Sequence, residues 1–148
     1  MAQPYTVFKK YKKQIIKQLG RKALADDQIN KLCKELFGSK FKGVYSQDRL
    51  KTTPGYYILN TDVSKHINSD SSHWVAVVQT KTTLYVYDSF GRLTKNVLKL
   101  IYNKTKKKIV ESSLDPEQYG ANSEVCGQLC IAWLCVVHES GIRVALTI

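Results

Sequence analysis

The stretch Cys126-Gly127-Gln128-Leu129-Cys130-Ile131-Ala132-Trp133-Leu134-Cys135-Val136-Val137-His138-Glu139 decides how this chain folds. It is apolar almost all round and Gly141 follows as a stop, so it predicts a buried central helix over about 126–139. A helix buried on every side needs other elements to cover it. Three short β-type runs precede it: Tyr56-Tyr57-Ile58-Leu59, Trp74-Val75-Ala76-Val77-Val78 and Leu84-Tyr85-Val86-Tyr87. The last two are joined tightly through Lys81-Thr82-Thr83 and predict a hairpin. Residues 94–102 read as a helix with Val97, Leu98, Ile101 and Tyr102 on one face, and Lys107-Lys108-Ile109-Val110-Glu111 reads as a weaker strand. The pattern predicts an α+β class, a central mixed or antiparallel sheet packed on the buried helix. The 148 residues, 43% of them hydrophobic, suffice for one domain over 1–148.

The N-terminal part, residues 1–53, is basic and mainly helical by pattern, against a core at 56–139. Phe8, Tyr11, Ile15 and Leu19 recur at helical spacing up to Gly20, with Lys9, Lys10, Lys13 and Lys17 largely off that stripe. A membrane-surface helix is the alternative, and packing on a core is the default. A second helix is expected after Asp26 as N-cap, with Ile29, Leu32, Cys33, Leu36 and Phe37 on one side and a stop at Gly38. Residues 39–55 read as loop, punctuated by Gly43, Pro54 and Gly55.

Residues 1–53 carry a net charge of +9 and the rest +2. Such a surface suits a polyanion, nucleic acid being the commonest and double-stranded DNA one such partner, through Lys9, Lys10, Lys12, Lys13, Lys17, Arg21 and Lys22. The alternative is a solubilising lysine-rich surface. No run is apolar and long enough to span a membrane, and the Lys-rich start lacks the apolar segment of a secretory signal. Four cysteines without such a signal predict free thiols in a reducing intracellular compartment, so a protein that is not secreted. Cys126, Cys130 and Cys135 lack paired metal-ligand spacing, so no metal is expected. The phosphate-binding glycine loops of the common kinds are also missing.

Cys126 begins the central helix and is followed by Gly127. The helix dipole and unpaired N–H groups there favour a thiolate, the nucleophilic form, and the backbone N–H groups of Cys126 and Gly127 suit a developing oxyanion. Gly127 would also let a substrate backbone approach closely. Cys130 and Cys135 lie further along the helix and should be buried and inert. A thiolate needs a base. His138 sits at the far end of the same helix, roughly 18 Å away at the helical rise. His66 falls in a polar segment, 64–72, that reads as exposed loop. His73 opens a strand, where a rigid element holds it. Asp88 ends the neighbouring strand, and a hairpin brings these two ends together. Asp88 would then orient the base, although Asp88-Ser89-Phe90-Gly91 also reads as a turn.

These residues resemble the adenovirus-type (adenain-like) cysteine proteases of the ubiquitin-like-protein protease superfamily. The matching stretches are Tyr57-Ile58-Leu59-Asn60, Ser72-His73-Trp74-Val75-Ala76, Val86-Tyr87-Asp88-Ser89-Phe90-Gly91 and Gly120-Ala121-Asn122-Ser123-Glu124-Val125-Cys126-Gly127, with a weaker echo in Phe41-Lys42-Gly43-Val44. The resemblance implies a papain-like/adenain-like fold and a triad of His73, Asp88 and Cys126. It implies a thiol endopeptidase that matures viral capsid or scaffold precursor polypeptides, acting in the host cytoplasm or nucleus, the virus factory and the virion. The family also implies a glutamine side chain in the oxyanion hole. Alignment puts Tyr119 at that place and Gln118 one residue out; a one-residue bulge brings Gln118 back, and Gln128 is a poorer fit. DNA or a small peptide as activator follows from the resemblance, while the chemistry itself requires no cofactor. A monomer is expected. The alternatives are a deubiquitinase- or deSUMOylase-like isopeptidase, and a basic nucleic-acid-binding structural protein with a vestigial site.

Overall fold

A computed structural model describes residues 3–62, 73–113, 116 and 124–148 of the chain. Helices α1 (Pro4–Leu19) and α2 (Asp26–Phe37) come first, followed by strands β1 (Phe41–Ser46), β2 (Gly55–Asn60), β3 (Trp74–Gln79) and β4 (Thr83–Tyr87). Two short helices, α3 (Thr94–Val97) and α4 (Lys99–Lys104), lead to β5 (Lys108–Glu111), then α5 (Cys126–Ser140) and α6 (Ile142–Ala145). The five strands form one mixed sheet in sequence order. β2, β3 and β4 are antiparallel neighbours, while β1 joins β2 and β5 joins β4 in parallel. The α+β class is therefore correct, and the sheet is mixed.

The two central strands bury both faces, which explains why they read as unbroken apolar runs. Successive side chains point to opposite faces, so Ile58, Ala76 and Tyr87 join one core while Tyr57, Leu59, Val75 and Val77 join another. The larger core lies under α5, which packs on α1, α2, α6 and β3. Twelve of its fifteen residues, Cys126 to Val137, are buried, as an all-round apolar helix requires. Trp133 stacks on Tyr87 with ring centroids 5.4 Å apart, and Phe8 of α1 meets the edge of Tyr87 at 6.2 Å. Through Phe8 and Ile15, α1 packs on this core. The smaller core on the other face is closed by Val97, Leu98 and Ile101.

Several expectations need correction. The segment 39–55 contains β1, which sequence patterning does not reveal because Gly43 interrupts it and its register shifts between Phe41 and Gly43. Gly43 sits at φ 139°, and a Cβ there would come within 2.9 Å of the Tyr45 ring. This irregularity requires glycine inside a strand, so the residue is no loop signal. The N-cap of α2 is Ala25, whose N–H is bonded by the Gln28 side chain at 2.9 Å, and Asp26 is the first helical residue. Leu36 is 40% exposed, off the buried face of that helix. The single helix expected over 94–102 is broken at Leu98, with φ −125° and ψ 57°. The break buries Leu98 and Ile101 together and turns Tyr102 out to 49% exposure. Residues 142–148 are ordered onto the core, with Trp133 Nε1 donating to the Ala145 carbonyl at 2.9 Å. Among the described residues no helix is long and apolar enough to cross a membrane.

Candidate active site

The hairpin and the central helix meet where the chemistry was expected. Ala76 pairs with Tyr87, so the open end of the hairpin carries His73 on one strand and Asp88 on the other. Their side chains meet across it, His73 Nε2 lying 2.5 Å from Asp88 Oδ1. The His73 backbone is tied to the next strand by Thr61, whose N–H donates to the His73 carbonyl at 2.9 Å. Helix α5 brings Cys126 beside the same imidazole, close enough for its thiol to raise the His73 pKa. An ionised carboxylate only accepts, so the proton of a neutral His73 sits on Nε2. Nδ1, with its lone pair, is left for the sulfur. All three groups are nearly enclosed, at 7% exposure for His73, 5% for Asp88 and 8% for Cys126.

Asp88 is held by more than the histidine. Its Oδ2 accepts from the Arg92 backbone N–H at 3.1 Å and from Arg92 Nε at 2.9 Å, and its Oδ1 lies 3.3 Å from the Phe90 N–H. The turn reading of Asp88-Ser89-Phe90-Gly91 is correct, and it leaves the Asp88 side chain free to reach His73 as well. The turn closes through the Gly91 N–H on the Asp88 carbonyl at 2.9 Å, and the same aspartate faces the imidazole. The Phe90 ring sits 5.1 Å from the His73 ring, and the Arg92 guanidinium lies 5.0 Å over Phe90.

The electrostatics follow from this packing. Burial alone would lower the His73 pKa, but its hydrogen bonds with Asp88 and Cys126 outweigh that and hold the imidazole above its ordinary range. Burial would raise Asp88, but hydrogen bonds from His73 and Arg92 pull its carboxyl below the usual carboxylate range. The remaining thiols are structural. Burial pushes Cys130 far up, raises Cys33, and raises Cys135 to about 12. Cys130 Sγ donates to the Trp74 carbonyl at 3.3 Å.

Cys126 opens α5 with no side-chain cap, and the first N–H groups of a helix have no intrahelical acceptor. Cys126 and Gly127 thus lie in the first turn of α5, where an oxyanion site would draw its backbone donors. The space that a side chain on Gly127 would need is filled by the protein itself. A Cβ on it would meet Leu24 Cδ1 at 3.2 Å, Trp74 Cδ1 at 3.3 Å and Ile29 Cδ1 at 3.4 Å, so its small size serves internal packing. Gln118 lies outside the described residues, as does His66. Gln128 is buried, and its Nε2 donates to the carbonyls of Gly20 at 2.9 Å and Lys22 at 2.8 Å. That amide is committed to a structural clamp. Trp74 Nε1 donates to the Leu24 carbonyl at 3.1 Å, so Gln128 and Trp74 together pin the 20–25 connection onto the start of α5. His138 is exposed at the far end of α5, edge-on to Phe37, with Nδ1 3.5 Å from the Tyr56 hydroxyl.

Lys9, Lys10, Lys13 and Lys17 are exposed on α1, Lys12 is half-buried, and Arg21 and Lys22 are exposed just beyond the helix. Glu139 of α5 faces this row and lies 3.8 Å from Lys10. Among the described residues no cluster of His, Cys, Asp and Glu could hold a metal ion.

Sequence reading missed Arg92 and the Gln128 clamp. Arg92 had a usable signal, an opposite charge four residues after Asp88. Gln128 had none, because its partners are backbone carbonyls more than a hundred residues away. No family model and no curated protein matches the chain.

Proposed function

We propose that this protein is a cysteine endopeptidase with Cys126 as nucleophile, His73 as general base and acid, and Asp88 as the orienting carboxylate. One observation supports it above all: His73 is hydrogen-bonded to the Asp88 carboxylate and has the Cys126 thiol near enough to raise its pKa. In the cycle that follows, the Cys126 sulfur attacks a scissile carbonyl and its proton passes to His73 Nδ1. The carbonyl oxygen becomes an oxyanion on the N–H groups of Cys126 and Gly127. Gln118, by resemblance to the adenovirus-type enzymes, adds a side-chain donor. His73 then returns its proton to the leaving amine as the C–N bond breaks. Water, deprotonated by the same imidazole, cleaves the thioester and frees the thiol. Asp88 holds the Nε2 proton throughout and stabilises the transient imidazolium.

The same resemblance, with His, Asp and Cys in that chain order, supports a papain-like/adenain-like fold and a role in processing viral capsid or scaffold precursors. The test is hydrolysis of a fluorogenic peptide library and of candidate precursor polypeptides by wild type and by Cys126→Ala. The expected result is cleavage by wild type and loss of nearly all of it in the variant. Equal rates would eliminate the mechanism.

A further inference from the structure

Helix α5 and Cys126 cover one face of the sheet. The other face holds an open cavity of about 380 Å³ that the proposed chemistry leaves unused. Small-molecule sites typically start at about 300 Å³. The floor is apolar: Leu84 of β4 and Ile101 of α4 belong to the smaller core, and Leu50 and Leu100 complete it. The lining is strongly basic, with Lys51, Lys104, Lys106 and Lys107 against the single carboxylate of Asp48.

The Gln47, Gln79 and Lys107 side chains in the wall are already engaged. Gln79 Nε2 donates to the Lys51 carbonyl at 2.8 Å, and its Oε1 accepts from Lys107 Nζ at 2.8 Å. Lys107 Nζ also donates to the carbonyls of Thr80 at 2.7 Å and Thr52 at 3.2 Å, which uses all three of its protons. Gln47 Oε1 accepts from the Leu100 N–H at 3.2 Å, and its amide nitrogen donates to the Thr61 carbonyl. Lys51 lies over the Tyr45 ring, 5.4 Å from its centroid. Lys104 and Lys106 are exposed at the mouth.

A neutral polar ligand would find few open partners in such a wall. An inorganic anion would leave the apolar floor unused. The combination of apolar floor, engaged wall and cationic mouth selects a molecule that is apolar at one end and anionic at the other. We propose that this cavity binds a small organic anion with an apolar body, of the fatty or aromatic carboxylate class. The body rests on Leu50, Leu84, Leu100 and Ile101, and the anionic head lies between Lys104 and Lys106. The site is separate from Cys126 and does not depend on the protease reading.

The test uses 1-anilinonaphthalene-8-sulfonate, whose fluorescence rises in an apolar site and which carries one anionic group. Wild-type protein should give a saturable one-site titration. The double variant Lys104→Glu/Lys106→Glu changes only exposed side chains and should bind at least about tenfold more weakly, since reversing both charges replaces attraction by repulsion. Decanoate should displace the probe, and inorganic phosphate at equal ionic strength should not. Three results overturn the proposal: no saturable signal, wild-type affinity in the double variant, or displacement by phosphate as effective as by decanoate.

Discussion

Replacing Asp88 by Asn changes one atom and tests the whole arrangement around His73. The carboxylate faces four donors: His73 Nε2 at 2.5 Å, Arg92 Nε at 2.9 Å, the Arg92 N–H at 3.1 Å and the Phe90 N–H at 3.3 Å. Asparagine keeps one oxygen, so one side of this set must face an NH2 group. If the oxygen stays on His73, Arg92 loses its acceptors; its side chain is 45% exposed and turns to water, while its backbone N–H does not. If the amide turns over, its NH2 faces Nε2 and forces the proton onto Nδ1, where the base needs a lone pair. A hydrogen bond to a charged group contributes about 1.5–3 kcal/mol net, so Asp88→Asn should lose about 2–3 kcal/mol of stability. In a domain of this size that lowers Tm by about 4–12 °C. Catalysis should fall further, because a mis-set general base forfeits about a thousandfold in kcat/KM. Peptide hydrolysis and a calorimetric scan of the same preparation measure both. A variant with kcat/KM within about threefold of wild type would refute the reasoning and leave Asp88 as a turn residue alone.

The His73–Asp88 pair also sets a pH window for stability. Its His73 part is full below the ordinary histidine value of 6.5 and is lost as pH rises through the raised folded value. Its Asp88 part is full above 3.8 and is lost as pH falls through the lowered folded value. The Tm gap between wild type and Asp88→Asn should therefore be widest between these two values and narrow toward both extremes; a gap that does not change with pH would contradict the assignment. Gln128→Leu removes both bonds to the 20–25 connection and should lower the unfolding free energy by about 1–2 kcal/mol, the lone Oε1 it also removes offsetting part of the loss. Urea unfolding measures this, and an unchanged midpoint would mean the clamp contributes nothing. Iodoacetamide should alkylate Cys126 in the native protein while Cys33, Cys130 and Cys135 react only after unfolding, since burial keeps those three protonated. Peptide mapping of the labelled sites would show native labelling at another cysteine if this is wrong.

Much of the molecule could be read from local pattern. Periodicity located α1, α2 and α5, and the two apolar runs around Lys81 located the hairpin, because each of these signals lies within one short window. The site followed from topology: His73 and Asp88 end paired strands, and Cys126 starts the helix beneath them. What escaped depended on tertiary packing that leaves no periodic pattern in the sequence. β1 exists because β2 offers it a parallel edge, and its Phe-Lys-Gly start carries no alternation to announce that. The break at Leu98 depends on what the smaller core can accommodate. Gly127 reads in sequence as room for a substrate backbone, and the neighbouring Leu24, Trp74 and Ile29 side chains add an internal packing reason for glycine there.

Acid-quenched mass spectrometry after brief exposure to an activated peptide ester tests the triad most directly. The account predicts an acyl group on the Cys126 peptide of wild type, formed at least about a hundredfold more slowly in His73→Ala. Acylation that is equally fast without the imidazole, or that lands on a different cysteine, would contradict it.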